Sequence, residues 1–326
     1  MSKDKILITG ATGFIGSHLV ELCVTKGFNV KAFDRYNPNN HWGWLENSKV
    51  RNDVEIILGD IRDYDSVSKS MKDCNTVFHL AALIGIPYSY FSPLAYIRTN
   101  VEGTYNVLES AKVQNLNQVL ITSTSETYGS AQYTPIDENH PLVGQSPYSA
   151  SKIGADQLAL SYYRSFGIPL KIVRPFNTFG PRQSARAVIP TIISQCKANS
   201  NEIKLGNLSP KRDLTFVKDT CEGFIEIYKT DSFYGEVVNI GMNSEVSIGD
   251  LAKEIMSIMN LNIPILSDKK RVRPEKSEVN RLICNNKKLI DGCSWKPKYD
   301  LKKGLIETIE WFQNYGDLNK LESYHI

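Results

Sequence analysis

The chain holds no apolar run near the roughly 18 residues that a membrane-spanning helix requires, no repeat at a fixed period and no low-complexity tract. It also lacks any block of like charge. Lys and Arg total 38 against 35 Asp and Glu, so the net charge is +3, and no basic stripe marks a nucleic-acid partner. The six cysteines include no CxxC pair and no zinc spacing, so reduced thiols in a cytoplasmic protein are expected, with no metal. The opening MSKDKILITG meets a glycine too early for a secretory apolar core, in line with that location. At 326 residues the chain has room for one large domain or two unequal lobes.

What is present is alternation. KILIT (5–9), NVKAFD (29–34), VEIILGD (54–60), TVFHLAA (76–82) and QVLITST (118–124) are short β-branched runs separated by amphipathic stretches. That order predicts an α/β fold, a Rossmann-type doubly wound parallel sheet. Helices are expected from Pro93 to about Val113 and from Pro147 to about Phe166, with a buried strand over 170–174. Beyond Pro175 the texture turns to Asn, Pro, Gly and Arg, which predicts a smaller α/β substrate-binding lobe over 176–326 after a cofactor-binding unit over 1–175. Within it, GEVVNI (235–240) reads as a strand returning to the main sheet, and Ser247 with Asp250 as a helix start.

GATGFIG follows one predicted strand and opens a predicted helix, the setting of a dinucleotide fingerprint. Gly10 permits the tight turn, Gly13 lets the backbone approach a pyrophosphate, and Phe14, Ile15 and Gly16 begin the helix whose amides face it. Asp34 ends the second strand, where a carboxylate holds both ribose hydroxyls and favours NAD, although the adjacent Arg35 could accommodate a 2′-phosphate. Asp60 and Ile61 are placed to meet adenine, unless Asp60 only caps a helix. Leu80, Ala81 and Ala82 end the fourth strand with mostly small side chains that suit close approach of the cofactor.

In YSASK, Tyr148 and Lys152 are four residues apart, on one face of a helix. An ammonium below a phenol lowers the phenol's pKa and prepares it to take a proton from a sugar hydroxyl.

GATGFIG, Asp34, HLAA, STSETYG (123–129) and YSASK, in this order, resemble the extended short-chain dehydrogenase/reductase family that acts on nucleotide sugars. RPFNTFGPRQ (174–183), RDLTFVKD (212–219) and RPE (273–275) extend the resemblance over nearly the whole chain. HLAALIGIPYSY and PFNTFGPRQSARAVIPT are most similar to the NAD-dependent 4,6-dehydratase branch of bacterial legionaminic acid synthesis. The resemblance implies that Thr124 steadies the sugar O4, that Tyr148 is the base and that Lys152 tunes it. It also implies cofactor contact at Pro175, and substrate contacts from Asn177, Arg182, Arg212 and Arg273. The implied substrate is N-acetylglucosamine carried on GDP or UDP, and the implied assembly a homodimer through the two long helices.

Epimerases and dehydratases of the family share oxidation at C4, but only a dehydratase must remove the C5 proton and expel the C6 hydroxyl. Glu126, two residues past Thr124 and so on the same side of an extended strand end, is the expected acid/base, with Ser125 orienting it. The plainer role for Glu126 is to cap the following turn. Other readings are a UDP-glucuronate decarboxylase or 4-epimerase of the same family, or a non-catalytic NAD-sensing module. HWGWLENSKV (41–50) is an aromatic insertion expected to pack as a surface loop, or else to serve as a lid or partner contact.

Overall fold

β1 (Lys5–Thr9) shows how the first half of the chain is built. Ile6 and Ile8 enter the core on one face of the sheet, while Leu7 enters the core on the other. A strand buried on both faces belongs in a parallel sheet covered by helices. The computed structural model, which describes residues 4–198, 201–272 and 274–315, has that sheet. Its seven parallel strands run in the order Val237–Ile240, β6 (Leu170–Pro175), β5 (Gln118–Thr122), β4 (Thr76–His79), β1, β2 (Asn29–Arg35) and β3 (Val54–Gly59). This is a Rossmann-type order. The GEVVNI segment supplies the returning strand, paired to β6 with Val238 opposite Val173.

α1 (Phe14–Thr25) lies on one face with the helix Val217–Lys229, whose Phe224 ring sits 6.5 Å from Phe78 of β4. That side of the core runs without a break from Ile6 and Leu19 to Leu251 and Phe312, so one hydrophobic mass serves both halves of the chain. The opposite face carries α2 (Tyr64–Met71), α5 (Gly103–Val113) and α6 (Pro147–Phe166). Short strand pairs form the lobe beside the sheet, including Asn177–Phe179 with Leu214–Phe216 and Lys211–Arg212 with Arg281–Leu282.

The helix expected from Pro93 is more complex than its periodicity suggests. Following α3 (Ile86–Phe91), it starts at Pro93 as α4 (Pro93–Tyr96), widens to a π turn over Ile97–Glu102 and resumes as α5. Such turns recur at functional sites. Here the turn carries the buried Asn100, whose amide pairs with both backbone groups of Leu83 (2.8 and 3.0 Å) and donates to Ser151 Oγ (2.9 Å). Among the described residues no helix is long and apolar enough to cross a membrane.

Candidate active site

The glycine-rich turn is shaped by contacts that tolerate no side chain. Gly10 has φ +69°, and a Cβ there would lie 2.8 Å from Ala81 N. At Gly16 a Cβ would lie 2.1 Å from Gly10 O. Gly16→Ala must therefore move backbone. The expected cost is about 3 kcal/mol, the upper end for overpacking, with weakened NAD binding, as read by denaturant melts and cofactor titration.

α1 begins at its N-cap Gly13 with no side-chain cap and no acidic residue in the first turn, leaving its amides open to an anion. Leu80 N and Ala81 N both donate to Thr9 Oγ1 (3.2 and 3.1 Å), which draws the end of β4 against the turn. These features fit a dinucleotide pyrophosphate.

Asp34, expected at the cofactor ribose, has an internal role. Its Oδ2 accepts from Thr12 N and Thr12 Oγ1, each 2.7 Å, and its Oδ1 accepts from the Arg35 amide at 2.7 Å, so it braces the glycine-rich turn. Asp60 pairs with Arg62 (2.5 Å), which holds its carboxyl below the usual range. It does not cap α2, since that position is taken by Asp63. Asp60, Arg62, Asp63, Arg98 and Glu102 line a cleft of about 500 Å³. Ile61 is buried, and its carbonyl accepts from Asn106 Nδ2 (3.0 Å).

α6 is anchored by a reciprocal cap between Ser146 and Ser149 with Pro147 in its first turn, and this places Tyr148 at the helix start. The Tyr148 ring is buried edge-on to Tyr96 (6.2 Å) and its hydroxyl is hydrogen-bonded to Thr124. The expected lowering of the phenol's pKa is not what the structure gives. Burial raises it, the Thr124 hydrogen bond opposes that rise, and the negative charge of Glu126 adds to it. Lys152 shares the helix face, but its Nζ donates to Thr122 O at the end of β5 (2.6 Å). Burial pushes the Lys152 ammonium down, with Asp156 raising it and Arg174 lowering it. His79, between Thr9 Oγ1 (2.8 Å) and Thr104 Oγ1 (3.1 Å), is pushed down to about 3 by burial and by Lys152, so it is neutral at pH 7.

Glu126 does not sit on an extended strand. Ser125–Tyr128 form a 3₁₀ turn, and Thr124 caps it by accepting from the Glu126 amide (3.3 Å). The turn, rather than alternation along a strand, brings Glu126 near Tyr148. Because Thr124 is the cap, the Glu126 carboxylate is not. Among the described residues that carboxylate makes no hydrogen bond or ion pair, although the residue is only 9% exposed. Ser125 is buried at the head of the turn and makes no hydrogen bond to Glu126 among the described residues.

Pro175 ends β6 opposite Ile240. Asn177 begins the next strand with its Oδ1 buried and unpartnered among the described residues. Arg212 is buried, donating to Lys211 O (3.0 Å) and pairing with Glu278 (3.4 Å). Arg273 lies outside the described residues. Arg182, expected to contact substrate, is anchored through Nη2 by Glu21 of α1 (2.8 Å), whose same oxygen accepts from Ser48 Oγ (2.6 Å), while its Nη1 is buried and unpartnered among the described residues. The aromatic insertion shares this seam. Trp44 N donates to Thr12 O (3.1 Å), and the Trp44 ring meets Trp311 edge-on (5.2 Å). The insertion thus packs on the glycine-rich turn and the C-terminal helix. Asn100, Asp156 and Arg174 escaped sequence reasoning, since a π turn and a buried ion pair leave no periodic or motif signal.

An open dinucleotide turn and a buried Tyr-Lys pair in one fold define an NAD-dependent oxidoreductase site of the extended short-chain dehydrogenase/reductase kind. A family model described as GDP-mannose 4,6 dehydratase matches residues 7–308, and the chain belongs to that family of NAD-dependent epimerases and dehydratases. A dTDP-glucose 4,6-dehydratase of Streptomyces antibioticus is 30% identical over 95% of this chain and 92% of its own length. A UDP-N-acetyl-alpha-D-glucosaminuronate decarboxylase of Bacillus cytotoxicus is 31% identical over 95% of this chain and 98% of its own. The dTDP-glucose 4,6-dehydratase DesIV of Streptomyces venezuelae, solved with NAD and TYD bound, matches with a TM-score of 0.87 at 25% identity, over 95% of this chain and 97% of its own.

Proposed function

We propose that the chain is a nucleotide-sugar 4,6-dehydratase. It would convert GDP- or UDP-linked N-acetylglucosamine to the 4-keto-6-deoxy sugar nucleotide and water, as a step of legionaminic acid biosynthesis. The observation that carries the reading is Glu126, a residue only 9% exposed whose carboxylate has no hydrogen-bond or ion-pair partner among the described residues, beside Tyr148. NAD would be held by the Gly10–Gly16 turn and Asp34, and would supply the hydride exchange, taking hydride from C4 as the ketone forms and giving it back at C6. Residues 1–175 serve mainly the cofactor, and 176–326 mainly the sugar nucleotide.

Tyr148 takes the proton of the sugar O4 hydroxyl, which Thr124 steadies, and the ammonium of Lys152 offsets the phenolate charge. The 4-keto group acidifies C5–H. Glu126 removes that proton, the C6–O bond breaks, and the same carboxyl delivers the proton to the departing hydroxyl as water. The C5–C6 double bond so formed is then saturated by return of the hydride at C6 and of a solvent proton at C5. Asn177 and Arg212 bind the sugar and diphosphate, arginine through paired oxygen contacts. In D₂O, a panel of GDP- and UDP-sugars should include one that yields a 4-keto-6-deoxy product with deuterium at C5 and no net NAD consumption. A pentose product would instead establish decarboxylation, the second reading, which the Bacillus cytotoxicus relative favours.

The free cysteines fit a reducing compartment, so a cytoplasmic location is part of the proposal. So is a homodimer, because Phe91, Leu94, Ile97 and Tyr105 leave an exposed apolar band along α3 to α5. Ile97→Arg should shift the protein to a monomer in sedimentation velocity, and a parent that is itself monomeric would remove this part of the proposal.

A further inference from the structure

Below the Tyr148–Lys152 pair lies a second charged pair that the reaction proposed above leaves unused. Asp156 is one turn beyond Lys152, so residues 148, 152 and 156 share a face of α6. Its carboxylate is fully buried, with Oδ2 accepting from Arg174 Nη2 of β6 (2.8 Å) and from Ser123 Oγ (2.5 Å). Arg174 Nε donates to Ser123 Oγ as well (3.1 Å), and its guanidinium stacks on the Tyr128 ring (4.6 Å). Tyr128 in turn donates to Asn239 Oδ1 on the returning strand (2.9 Å).

Ser123 and Tyr128 flank the segment that carries Thr124 and Glu126. Both are gripped by one ion pair, while Lys152 grips Thr122 O just before them. A hydrophobic pair would hold the backbone at less desolvation cost, since buried ion pairs are weak devices for stability alone. What the charges add is a field, positive from Arg174 and negative from Asp156, around Lys152.

We propose that Asp156 and Arg174 act as a positioning pair for the dehydration, fixing the Thr124–Glu126 turn against Tyr148 and balancing the field at Lys152. The inference rests on the reaction proposed above. The groups that face Lys152 and Tyr148 are Asp156 on their own helix, Arg174 from β6, neutral His79 from β4, Glu126 from the 3₁₀ turn and Tyr96 from α4.

The test compares Asp156→Asn, Arg174→Met and the double variant by the pH profile of kcat, and by hydrogen exchange of residues 123–128 in the protein without substrate. Asp156→Asn leaves Arg174 uncompensated beside Lys152, so the alkaline limb should move to lower pH by about one unit, and Arg174→Met should move it upward. Exchange of 123–128 should rise at least tenfold in each. Single variants that lose activity with superimposable pH profiles would reduce the pair to a structural tie. Should the singles fail to fold, the double variant leaves no unpaired buried charge and remains testable. In it, parental kcat together with parental exchange at 123–128 would overturn the proposal. Because exchange needs no sugar, a wrong substrate assignment leaves that readout intact, and parental exchange in Asp156→Asn counts against the pair alone.

Discussion

Glu126→Gln is expected to lower the dehydration rate by ~10²–10⁴, the usual worth of a positioned acid/base, equivalent to ~3–5 kcal/mol of barrier. Gln keeps the shape of the side chain, and the turn is capped by Thr124 rather than by the Glu126 carboxylate, so folding should be untouched. Oxidation at C4 does not need this group. Under single-turnover conditions the variant mixed with substrate should therefore still show reduced-nicotinamide absorbance, while uptake of deuterium at C5 stops. Unchanged turnover would sink the assignment. Loss of the absorbance together with the product would move Glu126 to the oxidation step.

Tyr148→Phe should cost a similar ~10²–10⁴, but at the earlier step. The ring is buried edge-on to Tyr96, and Phe retains that packing while removing the hydroxyl bonded to Thr124. The stability loss should stay near 1 kcal/mol, the net worth of one hydrogen bond. Neither reduced-nicotinamide absorbance nor C5 exchange should appear. The two variants thus separate the halves of the reaction: Tyr148→Phe stops both, and Glu126→Gln only the second. If Tyr148→Phe kept the absorbance, another group would be the O4 base.

Much of this was legible in the chain because it depends on local rules. A β-branched run followed by glycines and an apolar-periodic helix encodes β1, the turn and α1. Likewise, Pro147 behind a capping Ser146 encodes the start of α6, and the returning strand is evident in GEVVNI. Where reasoning from local periodicity failed, contacts between distant segments were responsible. Thr124 and Glu126 were expected on one side of a strand, but the chain turns into a 3₁₀ helix directly after Thr124. Lys152 shares a helix face with Tyr148 as its spacing predicts, but the spacing does not reveal that the open carbonyl at the end of β5 takes a hydrogen bond from its ammonium. The motif likewise does not reveal that Arg182 is anchored by Glu21, 161 positions away.

The sequence by itself determined the parallel sheet, the dinucleotide turn and the presence of Tyr148, Lys152 and Glu126, because strand period, helix period and glycine geometry act over a few residues. Only the tertiary structure decided how readily Tyr148 and Lys152 are charged and where all three groups sit. Burial raises Tyr148 and lowers Lys152, and the Asp156–Arg174 pair joins α6 to β6 beneath them. Desolvation and Coulomb forces depend on distance in space, and separation along the chain does not reveal it.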